Sequence, residues 1–344
     1  MSRLDRLRET LEAPLLVSSG TNVRYLTGLE SSNAYLLVEP ERVRLLTDFR
    51  YIERASAVEG VEAVRVARDV IGELPSLASG RLGFEAGDLS YADWARLRDG
   101  GLELEPTHDV VERLRVAKDD DEIAAIRRAC EVSDRAFEAL GQERFVGRSE
   151  RELSWRMQEL LHENGGEGLS FDTLVAAGPS GSSPHSELSD EPISAGTLVI
   201  VDAGCTIDGY CSDCTRTFAT GELPDELRRI YDVCLEAQLA AVEGIRGGMT
   251  GREADAIARD PIAAAGYGER FGHGLGHGVG LQVHEAPALR PESEDVLEPG
   301  QVFSVEPGIY LSGVAGVRIE DLVVLREDGP ERLTTVGKDL ITVD

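Results

Sequence analysis

Lysine is nearly missing from this chain. Of 35 basic residues in 344, only Lys118 and Lys338 are lysines and 33 are arginines, against 63 acids and a net charge of −28. Such a chain has no bulk positive charge to neutralise phosphates, which argues against a nucleic-acid partner. The acids are scattered rather than gathered in a tail, so disorder is not the reading. Acid excess with few lysines reads instead as adaptation to high salt, where screening removes self-repulsion. Long apolar runs are also missing: nothing approaches the roughly 18 residues a membrane helix needs, and no membrane partner is expected. The opening Met1-Ser2-Arg3-Leu4-Asp5-Arg6 has early charges and no apolar segment, so no signal peptide is expected and the default location is cytoplasmic. Cysteines are few and odd in number: Cys130, Cys205, Cys211, Cys214 and Cys234. That argues against a disulfide framework. Cys211-x-x-Cys214 lacks a second pair, and the cysteines read as small buried apolar residues.

The length suggests two domains, and an apolar fraction of 42% is ordinary for a globular chain. Residues 1–112 alternate short apolar strands with helices, an α/β pattern. Strands are predicted at Leu15–Ser18, Ala34–Val38, Val43–Thr47, Val61–Val66, Leu82–Glu85 and Leu102–Glu105, with a hairpin turning at Glu39-Pro40-Glu41. Helices fit near 50–58 and 90–98. Residues 113–344 form the second domain. It opens with a helix at Lys118-Asp119-Asp120-Asp121-Glu122, whose acids favour a helix N-terminus. Ser149-Glu150-Arg151-Glu152 and Thr250-Gly251-Arg252-Glu253 are capping boxes that open two further helices. Each of these is followed by a histidine-bearing segment and then by a strand pair carrying acids. The order suggests an α+β domain with an internal pseudo-twofold repeat.

The chemistry sits in that repeat. Leu198-Val199-Ile200-Val201-Asp202-Ala203-Gly204 sets an acid into an apolar strand, which is unfavourable unless the acid is paired or holds a cation. Asp208-Gly209 is a strong two-residue hairpin signal. With that turn Ile207 opposes Tyr210, Asp202 opposes Thr215, and Asp213 becomes the diagonal neighbour of Asp202, within reach of a shared ion. Glu306, ending the strand before Pro307-Gly308, and Glu320, in the following strand, mirror the pair. Between them, Gly272-His273-Gly274-Leu275-Gly276-His277-Gly278-Val279-Gly280 and His284 bring three histidines into a glycine-rich stretch that cannot be a stable helix. Read as extended, it puts His273, Leu275, His277 and Val279 on one face and leaves bare backbone for close approach on the other. His185 lies in a Gly/Ser/Pro loop. Carboxylates with imidazole suit Mn(II), Co(II) or Fe(II) better than structural zinc.

These residues stand in the order Val-Asp-Ala-Gly, Tyr-Cys-Ser-Asp-x-Thr-Arg-Thr-Phe, His-Gly-x-Gly-His-Gly-x-Gly-x-x-x-His-Glu, Val-Glu-Pro-Gly-Ile-Tyr and Val-Arg-Ile-Glu-Asp. That order resembles the creatinase/aminopeptidase "pita-bread" metallopeptidase family, and within it the prolidase and aminopeptidase P members. Residues 118–340 carry the resemblance. The first domain is similar to the creatinase-type N-domain, most visibly at Asn22-Val23-Arg24-Tyr25-Leu26-Thr27-Gly28. The resemblance implies two divalent ions per chain, Mn(II) or Co(II) first, with Fe(II) or Zn(II) as alternatives. Asp202 would hold one ion, Asp213 and Glu320 would bridge, and His277 and Glu306 would hold the other. His185, His273 and His284 would line the substrate site, with Arg318 and Tyr310 in support. The implied activity is hydrolysis of Xaa-Pro bonds in short proline-containing peptides by a homodimer. A methionine-type aminopeptidase and a non-catalytic binding relative are the alternatives.

The charge alone generates one prediction. The melting temperature should rise between 0.1 and 2 M KCl, as the Debye length shrinks from roughly 10 Å at 0.1 M to about 3 Å at 1 M. An unchanged melting temperature would show that the acidic composition is not a salt adaptation.

Overall fold

Residues 1–184 and 186–344 are described by a computed structural model. Two structural units follow one another along the chain, Met1–Arg115 and Val116–Asp344. The first is built on a six-stranded sheet, ordered Glu62–Arg65, Val43–Thr47, Ala34–Val38, Leu15–Val17, Arg81–Glu85, Glu103–Thr107. Ala34–Val38 runs antiparallel to both neighbours and the other pairings are parallel. Leu15–Val17 and Val43–Thr47 are buried along their whole length, as expected of strands covered on both faces. The hairpin turns where the sequence places it, with Val38 paired to Val43. Helices Arg3–Thr10, Gly20–Thr27 and Val70–Leu77 had no clear periodic signal, being eight residues each. The Asn22–Gly28 stretch is mostly the second of these, closed by Gly28 at φ 71°, a left-handed cap that favours glycine. Its buried Asn22 amide donates to Glu85 and Glu112 at 2.6 Å each and accepts from Arg115 at 2.8 Å. The motif is therefore an internal latch of this unit.

The second unit has two halves of like construction. Helices Asp120–Leu140 and Glu150–Glu163 open on capping boxes at Asp119/Glu122 and Ser149/Glu152. Their apolar faces pack Phe137, Leu153 and Met157 against Val199 and Val201 of the first sheet. That sheet is ordered Thr342–Val343, Cys214–Thr220, Leu198–Ala203, Leu174–Ala177. Helices Asp225–Gly244 and Gly251–Ala264, the latter capped by Thr250/Glu253, pack Ile230, Ala254 and Ala258 against Phe303 and Val305. The second sheet is ordered Glu285–Leu289, Gly276–Gly278, Val302–Val305, Asp321–Arg326, Gly329–Arg332. All five cysteines are buried and free. Among the described residues no helix is long and apolar enough to cross a membrane.

The glycine stretch departs from the sequence reading. Only Gly276–Gly278 is strand, and the register shifts between His277 and Gly278. Leu275 and Val279 are fully buried in two different apolar clusters, while His273 and His277 line a cavity. The four side chains do not share one face, because His273 and Leu275 lie before the strand begins and the bulge interrupts the alternation ahead of Val279. The expectation of close approach holds, and the approaching groups are the chain's own strands. A Cβ on Gly276 would collide with the Ser304 carbonyl, and one on Gly278 with the Ala286 carbonyl. Gly276→Ala should therefore lower stability by about 1–3 kcal/mol, the usual range for overpacking. Gly272→Ala, where nothing lies within 4 Å, should be close to neutral. Urea titrations giving equal midpoints for the two variants would refute the packing argument.

Candidate metal centre

The first half supplies two carboxylates by the predicted hairpin. Ile207 pairs with Tyr210 and Asp202 with Thr215. The turn residues Asp208 and Gly209 both take positive φ, 51° and 80°, as a tight two-residue turn requires. Asp213 lies between two short strand segments and is buried. The second half supplies its pair across a break in the ladder. Val305 pairs with Asp321 and Gly308 with Arg318, so Glu306 and Glu320 fall opposite one another. The two hairpins thus present their acids differently, one pair diagonal and one face to face.

Three of these acids converge, with oxygens of Asp202, Asp213 and Glu320 within 4.8 Å of one another. His277 Nε2 lies 3.2 Å from Glu306 Oε1 and 3.7 Å from Asp213 Oδ2. Its Nδ1 lies 3.2 Å from the Gly278 carbonyl. A proton on Nδ1 donated there leaves Nε2 free to ligate. Thr215 donates to Glu320 Oε2 at 2.7 Å, and Ser304 donates to Glu306 Oε1 at 3.0 Å. Arg318 Nη2 donates to Asp202 Oδ2 at 2.6 Å and Nη1 to the Tyr310 hydroxyl at 3.1 Å. That hydroxyl is 2.9 Å from His273 Nε2, while His273 Nδ1 is 2.8 Å from the Gly274 carbonyl. The His284 ring meets the His277 ring edge-on at 4.3 Å between centroids. All of these groups except Thr215, Ser304, Tyr310 and the Gly278 carbonyl line one cavity of about 640 Å³. His185 lies outside the described residues.

Electrostatics single out the cluster. Burial first, then Glu320, Asp202 and Glu306, hold the Asp213 carboxyl well above its ordinary range. Burial does the same to Glu320, with Glu306 and Asp202 adding to it. Burial also raises Asp202, against the opposing charge of Arg318. For His277 burial acts downward, but the hydrogen bond and charge of Glu306 outweigh it and lift the imidazole to about 9. Burial lowers His273 and raises Tyr310.

Residues 124–327 match metallopeptidase family M24, and residues 3–117 match the creatinase/prolidase N-terminal domain. The chain belongs to metallopeptidase family M24. It is 37% identical to the Xaa-Pro dipeptidase of Pyrococcus furiosus over 331 residues, 95% of this chain and 94% of that one. Its fold is similar to that of an Xaa-Pro dipeptidase from Bacillus anthracis, with TM-score 0.96, 40% identity and 99% of each chain covered. It is also similar to an X-Pro aminopeptidase from Thermotoga maritima, with TM-score 0.91, 35% identity, and 99% of this chain and 100% of that chain covered.

The family depends on two metal ions, and the residues present fit that requirement. Asp202 Oδ1 and Glu320 Oε1 are buried and have no hydrogen-bond partner among the described residues. Buried carboxylate oxygens left bare are unfavourable unless something positive occupies the space between them. The donor set, carboxylates plus one imidazole, suits hard or borderline divalent ions.

Several supporting residues carry no signal in the sequence alone. Arg290 lines the cavity, but in Leu-Arg-Pro it reads as a surface residue. Asp255 and Arg259 form an i,i+4 pair at 2.5 Å on their helix, an ordinary helix-face pattern. In the fold Asp255 accepts from the Leu275 amide at 2.9 Å, and Arg259 donates to the His273 carbonyl at 2.6 Å. They hold the histidine loop against the helix. Lys118 forms a buried pair with Glu285 at 2.7 Å, the residue after His284.

The raised carboxyls set a pH dependence. Folded metal-free chain retains protons that the unfolded chain releases above about pH 4, so stability falls as pH rises from there toward the folded-state values. His277 acts in the same direction, its contribution being complete below about 6.5 and lost as the pH rises through about 9. The melting temperature of chelator-stripped protein should therefore fall between pH 5 and 8. The fall should be shallower in Asp213→Asn, which removes one of the strained charges. Equal slopes in the two proteins would contradict the burial of unneutralised acids.

Proposed function

We propose that the chain hydrolyses Xaa-Pro bonds in short peptides, and dipeptides in particular. The observation that carries this reading is the convergence of four carboxylates and a histidine on one cavity, two of the carboxylate oxygens being buried and bare. The relatives named Xaa-Pro dipeptidase and X-Pro aminopeptidase point to the same bond. Asp202, Asp213, His277, Glu306 and Glu320 would hold the two divalent ions. Oxygen donors favour Mn(II) or Co(II), with Fe(II) and Zn(II) as alternatives. When bound, such a pair supplies Lewis acidity for the scissile carbonyl and for a water nucleophile.

The other residues bind, orient and move protons. His284, exposed at the cavity and edge-on to His277, would take a proton from the nucleophile and return it to the leaving proline nitrogen. His273, kept neutral by burial, accepts from the Tyr310 hydroxyl, which in turn accepts from Arg318. That chain fixes the Arg318 guanidinium on Asp202 and leaves one Asp202 oxygen for the cation. His185 belongs to the same substrate-side group on the sequence reading. Arg290 is the feature that favours a dipeptide: an acid-lined cavity repels a C-terminal carboxylate unless a cation receives it. Asp172 and Glu187, which also line the cavity, suit the free ammonium. Cytoplasmic residence and a homodimeric state go with this reading of the sequence.

Rates on Xaa-Pro, on Xaa-Pro-Pro and on Met-Ala, with Mn(II) or Co(II) supplied, test the proposal. The dipeptide should be cleaved with the highest kcat/KM. A preference for Met-Ala would move the chain to the methionine-type activity. Asp213→Ala should lose metal and turnover together. His284→Ala should keep its metal while kcat falls by about 10²–10⁴, and metal loss there would place His284 among the ligands instead.

A further inference from the structure

Behind the site carboxylates lies a buried ionic network to which the reaction assigns no role. Asp321 directly follows Glu320 in the chain and is fully buried. Its Oδ1 accepts from Arg216 Nη2 at 2.7 Å, and its Oδ2 from Lys338 Nζ at 2.7 Å and Gln238 Nε2 at 3.1 Å. Arg332 Nη1 stands 3.7 Å from the same Oδ2. Arg216 reaches further, donating to the carbonyls of Thr215, Glu320, Val336 and Gly337. Gln238, also fully buried, donates to the Val305 carbonyl at 3.5 Å and accepts from Lys338 at 2.8 Å.

The partners of this network are main-chain atoms beside the site. The Glu320 carbonyl belongs to a site residue, Val305 immediately precedes Glu306, and the Thr215 carbonyl also accepts from the Glu320 amide at 3.1 Å. One cluster therefore holds both backbones from which the Glu306 and Glu320 carboxylates project, and ties them to the chain's last segment at 336–338. Stability alone is a weak reason for such a cluster, since apolar residues of similar volume commonly do as well or better than a buried ion pair. Orientation is a better one, because partners behind metal ligands set their direction and typically change metal affinity 10–100-fold. Lys338 is one of only two lysines in the chain. Its compact ammonium donates to Asp321 and Gln238 at once.

We propose that Asp321, Arg216, Gln238 and Lys338 are positioning residues for the Glu306 and Glu320 carboxylates, so that the C-terminal segment sets the metal affinity of the centre. This rests on the reading that those carboxylates hold metal. The test is calorimetric titration of Mn(II) into chelator-stripped full-length protein, with the metal-free melting temperature measured beside it. Lys338→Met and Gln238→Leu should each weaken the Mn(II) Kd by about 10–100-fold while the metal-free protein still melts cooperatively. Gln238→Leu leaves Arg216, Asp321 and Lys338 paired, and decides the matter if Lys338→Met does not fold. A lowered melting temperature with unchanged Mn(II) affinity would make the network a core brace and overturn this inference alone. Absence of Mn(II) binding by the unaltered chain would overturn the metal assignment and this inference with it.

Discussion

Asp202, Asp213 and Glu320 are held with their oxygens within 4.8 Å of one another in a largely buried wall, and much of the second unit is organised around that repulsion. Carboxylates so placed either keep their protons or share a cation. Arg318 neutralises Asp202, and Thr215, itself hydrogen-bonded to Arg318, donates to Glu320. Neither reaches the two bare oxygens, Asp202 Oδ1 and Glu320 Oε1. The strain has a use, since a site that is uncomfortable without a cation favours the state that binds one.

The fold brings the acids together by building the same half twice. In each half a helix pair, its second member opening on a capping box, packs its apolar face on an antiparallel sheet. Each sheet delivers two acids, one from either strand of a hairpin. Neither hairpin alone makes the cluster, because Glu320 comes from one half while Asp202 and Asp213 come from the other. The Glu320 amide bonds the Thr215 carbonyl directly, which fixes one half against the other at the site itself.

Rigidity behind the ligands and access in front of them are divided between different residue types. Behind are buried ion pairs and glycines whose missing side chains let strands touch. In front are the exposed His284 and Arg290, which line the cavity. That division suits a peptidase in family M24, where the ions must be held still while substrates come and go.

Much of the site was legible in the sequence because its signals are local. An acid inside an apolar run, an Asp-Gly turn that sets register by counting, and histidines spaced by glycines each violate a packing rule unless they serve chemistry. The hairpin register followed from the turn alone, since two-residue turns leave the strands no freedom to slip. What only the tertiary structure decided was which distant residues meet. The convergence of Glu306 and Glu320 on the Asp202 hairpin, the cavity position of Arg290, and the binding of Lys338 to Asp321 and of the 336–337 carbonyls to Arg216 all depend on pairings more than ten residues apart. The bulge after His277, which interrupts the alternation toward Val279, depends on neighbouring strands in the same way. Sequence periodicity reports which face of an element is apolar, but not which surface that face will find.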